Sequence, residues 1–253
     1  MSETITSLHN RKVAFLRSLS EKKGRDSARA FLVEGTKMVS EALNSDFPID
    51  MIILREDYDP AFPVPGHIPC CRLADHVFQS VCSAKTPQGI AAVVRTYAKQ
   101  SVGRRLIALD GLQDPGNVGT VIRTADAAGF NGVLLSRDCA DVFSPKVLRA
   151  SMGSIFHIGL ELTESLPDLL AEYREEGYSV ISSQLDGEPF YSRGDLAEPY
   201  ILIVGNEGNG ISDAVKASAT HRYRLPMRGE AESLNVAVAA GIMMYDLTRS
   251  LPG

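Results

Sequence analysis

Cysteine is scarce and poorly spaced for metal or disulfide work: Cys70, Cys71, Cys82 and Cys139 are the only four in 253 residues, with no Cys-x-x-Cys pair. The five histidines show no His-x-x-x-His spacing, so neither a zinc site nor a disulfide framework is signalled. Reduced, buried thiols are the expectation. No run of about 18 apolar residues could span a bilayer, and the opening MSETITSLHN lacks the apolar centre of a secretory signal. A cytoplasmic protein with no membrane partner and no metal is expected. The stretch GNEGNG at 205–210 follows the apolar run Ile201-Leu202-Ile203-Val204, but no Lys-Ser or Lys-Thr comes after it, and its glycines do not fall as Gly-x-Gly-x-x-Gly. It fits neither a triphosphate loop nor a dinucleotide fingerprint, and Glu207 in its middle would repel phosphate.

What is present is an ordinary globular composition, 44% hydrophobic and 23% charged, long enough for one large domain or two modest ones. A net charge of −5 does not suggest a nucleic-acid binder, but the charge is uneven. Residues 1–37 carry eight basic residues (Arg11, Lys12, Arg17, Lys22, Lys23, Arg25, Arg29 and Lys37) against four acids, a net of +4 that leaves −9 for the rest. Such asymmetry fits a basic face for a polyanion, and it equally fits a solvated amphipathic helix.

Apolar spacing predicts a helix over 9–19, a strand at 31–33, a helix over 36–43, a strand at 51–54, a helix over 75–82 and a strand at 90–94. The polar stretch 98–105 reads as a linker, dividing a domain at 1–97 from one at 106–253. In the second half, strands at 106–109, 133–135, 157–160, 178–182, 201–204 and 222–225 alternate with helices over 117–128, 145–152, 167–176, 211–219 and 234–248. That alternation predicts a mostly parallel sheet covered on both faces, with ligands at the carboxyl ends of its strands. The last helix is apolar on almost every side, as expected if a second subunit or a single domain core buries it.

Three strand-end loops concentrate unusual residues. In 110–130, Asn117 suits a helix cap, and Arg123 lies on an otherwise apolar helix, where it has either a function or an ion pair with Asp126 at (i, i+3). In 205–210, glycines allow close approach, and exposed amides could meet a small ligand. In 225–241, Ser233 and Asn235 flank the start of the last helix, with Ser233 a possible plain cap.

The residues Asp114-Pro115-Gly116-Asn117-Val118-Gly119 with Arg123, then Ile203 to Gly210, then Leu225-Pro226-Met227 with Ser233-Leu234-Asn235-Val236, resemble the three motifs of the SpoU family of RNA ribose methyltransferases, within the SPOUT superfamily. More weakly, Phe31-Leu32-Val33-Glu34-Gly35 and Thr86-Pro87-Gln88-Gly89-Ile90 resemble that family's accessory RNA-binding domain, a small α/β unit similar to ribosomal proteins. The resemblance implies an α/β fold with a trefoil-knotted C-terminal methyltransferase domain and a homodimer. It implies transfer of a methyl group from S-adenosylmethionine to a ribose 2′-hydroxyl of RNA. Ribosomal RNA is favoured; transfer RNA, or a non-catalytic RNA-binding or ribosome-assembly role, is the alternative.

By position, the resemblance makes Gly205, Leu225 and Leu234 cofactor contacts, with Met227 a neighbour. Arg123 is implied as the base, aided by an RNA phosphate, or as a phosphate clamp, which suits a guanidinium that rarely gives up its proton. Asn117, Glu207, Ser233 and Asn235 would organise the acceptor ribose and the loops. Glu207 would accept from backbone amides or from Arg123 of the partner subunit. Arg11, Lys12, Arg17, Lys22, Lys23 and Arg25 become candidate phosphate contacts.

Overall fold

The computed structural model describes residues 4–96 and 103–250. In chain order, α1 (Arg11–Ser18), α2 (Lys22–Ala28), β1 (Ala30–Glu34), α3 (Thr36–Leu43), β2 (Ile49–Arg55), β3 (Cys70–Leu73), α4 (Asp75–Val81) and β4 (Ile90–Arg95) come first. Then follow β5 (Arg105–Asp110), α5 (Pro115–Ala127), β6 (Gly132–Ser136), α6 (Pro145–Ser151), β7 (Gly159–Thr163), α7 (Leu166–Glu175), β8 (Ser179–Pro189), β9 (Tyr200–Gly205), α8 (Asp213–Ala217), β10 (His221–Arg224) and α9 (Val236–Leu247). By contacts, the described residues of Met1–Ala98 group with Phe143–Phe156, and those of Lys99–Val142 with His157–Gly253. Of the expected linker, residues 98–102 lie outside the described residues, and Arg105 already opens β5.

The first unit is a four-stranded sheet in the order β1-β4-β2-β3, antiparallel except where β2 meets β3. Val13 and Leu16 of α1, Val77 and Phe78 of α4, and strand residues Leu32, Ile53 and Val93 share one core. Two elements here have no period in the sequence. β3 is four residues long, and α2, KKGRDSA, buries Arg25 alone. The Phe31 ring stacks on Phe143 at a centroid distance of 4.6 Å and lies 6.4 Å from Phe156, so aromatic packing claims the segment 143–156 for this unit.

The second unit is a six-stranded sheet in the order β10-β8-β9-β5-β6-β7, parallel at every pairing. Its central strands are apolar on both faces, as a doubly covered parallel sheet demands. Leu106, Ala108, Ile201 and Ile203 share a core with Leu166 and Leu170 of α7 and Val215 of α8. Ile107, Leu109, Leu202 and Val204 alternate with them, are equally buried, and point to the opposite face. Helices α5 and α9 pack against each other, α5 also against β6 and α9 against β9. Side chains cap helix starts in both units: Ser144 accepts from Val147 N at α6, which groups with the first unit, and Ser165 from Asp168 N at α7, each with proline in the first turn. Gly129 at φ 76° turns the chain out of α5.

One feature of this unit departs from the sequence expectation, and a second bears on an alternative that it left open. Strand β8 continues to Pro189, because β10 pairs first with Ile181 and Ser182 and then, after a register shift, with Glu188 and Pro189. Residues 183–187 are thereby looped past β10 without a ladder partner on that side. Helix α9 is not wholly inside a core: Ala237, Ala240, Met243 and Met244 are buried, while Val238, Ile242 and Tyr245 are 50%, 37% and 54% exposed.

Candidate active site

Strands β5 and β9 are neighbours, and Asp110 pairs with Gly205 at their carboxyl ends. Two of the three unusual loops therefore leave the sheet side by side. The 205–210 turn folds back on itself: Asn206 and Gly210 exchange both backbone hydrogen bonds at 2.9 Å. A side chain on Gly205 would place its Cβ 2.2 Å from the Gly210 carbonyl carbon and the Ile211 nitrogen, so only glycine fits there. Asn206 braces the turn, its Oδ1 accepting from Gly208 N and Asn209 N while its Nδ2 donates to Gly111 O at 2.9 Å. From the turn's far end, Ser212 N donates to Asp110 Oδ2 at 2.7 Å. Beneath these loops the Cys139 thiol donates to Leu109 O, and burial pushes its pKa up, keeping it a neutral donor.

The bracing corrects one expectation about the turn. Of its N–H groups, those of Asn206, Gly208, Asn209 and Gly210 are satisfied internally, so the turn is not a cradle of free amides. Its open face offers carbonyls and side chains instead.

All three loops meet through a chain of side-chain hydrogen bonds. Asp114, not Asn117, caps α5: its Oδ1 accepts from Asn117 N at 2.8 Å. The Asn117 side chain is thus free to donate through Nδ2 to Glu207 Oε1 at 3.0 Å, and Asp114 N approaches the same oxygen at 3.4 Å. Asn117 Oδ1 in turn accepts from Asn235 Nδ2 at 3.1 Å. Asn235, not Ser233, caps α9, its Oδ1 accepting from Ala237 N and Val238 N. Within one chain Glu207 is thus held by a backbone amide and an asparagine.

Beside this chain lies a cavity of about 590 Å³ lined by Ser183–Asp186, Val204–Ile211, Lys216, Leu225, Met227, Glu232–Leu234, Val236 and Ala239. Gly205, Leu225, Met227 and Leu234 all face it, as do Glu207 and Ser233. Two hollows in the first unit are more open: one, by Pro60–Cys70, is lined mainly by apolar residues, and the other, lined by Thr36, Lys37, Ser40, Glu41, Phe62 and Gln88, holds none of the three unusual loops.

The structure does not place Arg123 on the cavity wall. It is exposed on α5 and forms no ion pair among the described residues, and Asp126, its expected partner, instead accepts from His157 Nδ1 at 3.1 Å. Among the six candidate phosphate contacts, Arg11, Lys12, Arg17, Lys22 and Lys23 are exposed in the first unit. Arg25 is a correction: it is 5% exposed, and its guanidinium donates to the carbonyls of Leu19 and Ser20 at 2.8 and 2.9 Å. Those bonds tie α2 to the end of α1 and turn the group away from any polyanion. The cysteines also differ from expectation, since Cys70 is exposed and only Cys71 is fully buried; all four are free thiols.

Residues 104–245 match the model of the SpoU rRNA Methylase family, more than half of the chain. The chain belongs to the SpoU rRNA methylase family. Residues 10–92 match the MRM3-like substrate binding domain. Over 244 residues, covering 96% of this chain and 98% of the relative, the sequence is 39% identical to the 23S rRNA (guanosine(2553)-2′-O)-methyltransferase RlmP of Bacillus subtilis. A TrmH-family structure from Porphyromonas gingivalis superposes with a TM-score of 0.88 at 38% identity, over 96% of this chain and 99% of that one. The S-adenosylmethionine-bound rRNA methyltransferase of Sinorhizobium meliloti gives 0.87 at 30% identity, over 99% of each chain.

Sequence reasoning passed over several residues of this SpoU-type site. Asn206 and Asp110 brace its loops, and Ser183 to Asp186 form a wall of its cavity. The missed signal, just after that wall, is Gly187: a Cβ there would sit 2.7 Å from the Tyr223 backbone, marking a strand that must pass another at close range.

Proposed function

We infer that this chain transfers the methyl group of S-adenosylmethionine to a ribose 2′-hydroxyl of RNA, and that ribosomal RNA is the substrate. The observation that carries the reading is the convergence of three distant loops, through Glu207, Asn117 and Asn235, beside one cavity.

The donor set fits the cofactor. Leu185, Ile211, Leu225, Met227, Leu234 and Val236 offer an apolar bed for a nucleoside, and Asp186, Glu207 and Glu232 supply negative charge for a sulfonium and an ammonium. Bound S-adenosylmethionine supplies an activated methyl group on its sulfonium. Glu207, held by two donors, fixes the loop that carries Asn117 and stays an acceptor beside the acceptor ribose. Asn235 and Ser233 shape the opposite side. Arg123, exposed on α5 and unpaired among the described residues, acts as a clamp on an RNA phosphate. A guanidinium holds its proton in proteins, so it orients and polarises rather than abstracts.

A homodimer completes the site. Among the described residues no arginine lies on the cavity wall, and the exposed apolar stripe Val238, Ile242 and Tyr245 on α9 is a face that water does not favour. The knotted path is supported by the chain order: β10 lies at the far edge of the sheet, yet α9 after it packs on central β9 and on α5. Residues 1–97 act as the RNA grip, through Arg11, Lys12, Arg17, Lys22 and Lys23, and the protein works in the cytoplasm. Among the described residues no helix is long and apolar enough to cross a membrane.

The reading is tested in cells. Ribosomal RNA from a strain lacking the gene should lose one 2′-O-methyl group that a plasmid copy restores. Unchanged ribosomal RNA with a lost transfer-RNA methyl group would move the substrate, and no lost methyl group in either would overturn the reading.

A further inference from the structure

The charged lining of the cavity carries an inference about cofactor discrimination that rests on the S-adenosylmethionine reading. Lys216 is the single cation among the lining residues, against Asp186, Glu207 and Glu232. S-adenosylmethionine has an excess of the opposite sign: two cationic groups, the sulfonium and the ammonium, and one carboxylate. The acids suit the cations, and the carboxylate needs a donor.

The turn that faces it is poorly supplied. Asn206 N and Gly210 N are spent on each other's carbonyls, and Gly208 N and Asn209 N on Asn206 Oδ1, so among the described residues Glu207 N, beside its own carboxylate, is the amide of 206–210 left over. Gln184 is 8% exposed, and one of its two Nε2 hydrogens is spent on Ser182 Oγ at 2.6 Å. Lys216 is different. It sits in the last turn of α8, and its Nζ is 3.3 Å from Asp213 Oδ1, an (i, i+3) pair whose aspartate is fully exposed. Such pairs contribute little in water, so the ammonium can exchange Asp213 for a desolvated carboxylate in the cavity without a large loss. The ε-ammonium on its flexible stem suits that move.

We propose that Lys216 binds the α-carboxylate of the cofactor's methionine moiety and so distinguishes S-adenosylmethionine and S-adenosylhomocysteine from nucleosides that lack the amino-acid tail. The test is calorimetric titration of the intact protein, wild type, Lys216→Met and Lys216→Arg, with S-adenosylhomocysteine and with 5′-methylthioadenosine, which carries the same adenosine and sulfur but no carboxylate. The readout is the ratio of the two affinities, so general loosening of the fold moves both and leaves the ratio unchanged. Lys216→Met should weaken S-adenosylhomocysteine about tenfold and 5′-methylthioadenosine by less than about twofold, as expected when one charge-assisted contact is lost. Lys216→Arg should retain most of the discrimination. An unchanged ratio in Lys216→Met would overturn the proposal while leaving the cofactor reading intact. A wild-type protein that binds neither ligand would overturn both.

Discussion

Asn235 donates through Nδ2 to Asn117 Oδ1 at 3.1 Å, across 118 positions of sequence, and the direction of that bond is forced. Asn235 Oδ1 is occupied by Ala237 N and Val238 N at the start of α9, so only its NH2 end can face Asn117. Asn117 must then accept with its oxygen and turn its own NH2 to Glu207. The chain runs one way and ends on a carboxylate, which couples the start of the last helix to the glycine turn.

That directionality separates two substitutions at one position. Asn117→Ala removes two hydrogen bonds and should cost about 1–2 kcal/mol of stability. Asn117→Asp keeps the acceptor for Asn235 but sets a carboxylate against Glu207, and should be more damaging at neutral pH, with recovery as the pair is protonated in acid. Urea unfolding of both variants at neutral and mildly acidic pH checks this. Equal stability of the two would mean that the Glu207 contact is unimportant.

Much of this arrangement could be read from the amino-acid order. Strand-length apolar runs such as Tyr200–Gly205, and helices ended by glycines such as Gly129, leave a periodic trace because a doubly covered parallel sheet demands it. What the order hides is pairing at a distance. Nothing local says that Asp114 rather than Asn117 caps α5, since both residue types can cap and the choice depends on Glu207 competing for the asparagine amide. Nothing local says that Phe143 and Phe156 pack on Phe31, because the segment between them has the same helical signature wherever it docks. Arg25 reads as one more surface cation, and only the carbonyls of Leu19 and Ser20 reveal it as a staple.

Arg25 and its neighbours should consequently behave as two classes. Replacing exposed Arg17, Lys22 or Lys23 by glutamate should weaken RNA binding and lower the slope of log affinity against log salt by about 1 per contact removed, with little change in unfolding. Arg25→Ala should instead cost about 1–3 kcal/mol of stability by stranding the buried Leu19 carbonyl and the part-buried Ser20 carbonyl. Salt-dependent filter binding and thermal unfolding, measured on the same variants, separate the classes. An Arg25 variant of normal stability and weakened RNA binding would return it to the phosphate contacts.

The Phe31 cluster bears on how the protein can be cut. Phe31→Ala opens a space under Phe143 and Phe156 and should cost about 3–5 kcal/mol. Deleting residues 1–95 should expose Val147, Leu148, Ile155 and Phe156, all buried in the whole chain, and produce an aggregating fragment. Light scattering of the truncated protein decides this. A monodisperse fragment would show that the 143–156 segment finds other cover.

Alkali should loosen the fold through its tyrosines. Burial pushes the Tyr200 phenol up to about 12, and burial raises Tyr173 and Tyr178 as well. With folded values above the unfolded one, the native state holds more protons, so this contribution to stability is complete below about pH 10 and falls as pH rises toward 12. The urea midpoint should drop steadily over that window. A flat midpoint would mean that these phenols ionise equally in the folded and unfolded chains.

The most direct test of the central claim is transfer of tritium from labelled S-adenosylmethionine to unmodified ribosomal RNA by the purified protein, with alkali-resistant linkages mapped and Arg123→Ala run beside it. The expected result is label in a single 2′-O-methylated dinucleotide with wild type. Arg123→Ala should lose it by about a hundredfold or more, with cofactor affinity changed only a few-fold and stability within about 0.5 kcal/mol, since exposed Arg123 has no ion-pair partner among the described residues. Alkali-labile label would contradict ribose methylation, and near wild-type transfer by Arg123→Ala would contradict the role given to that arginine.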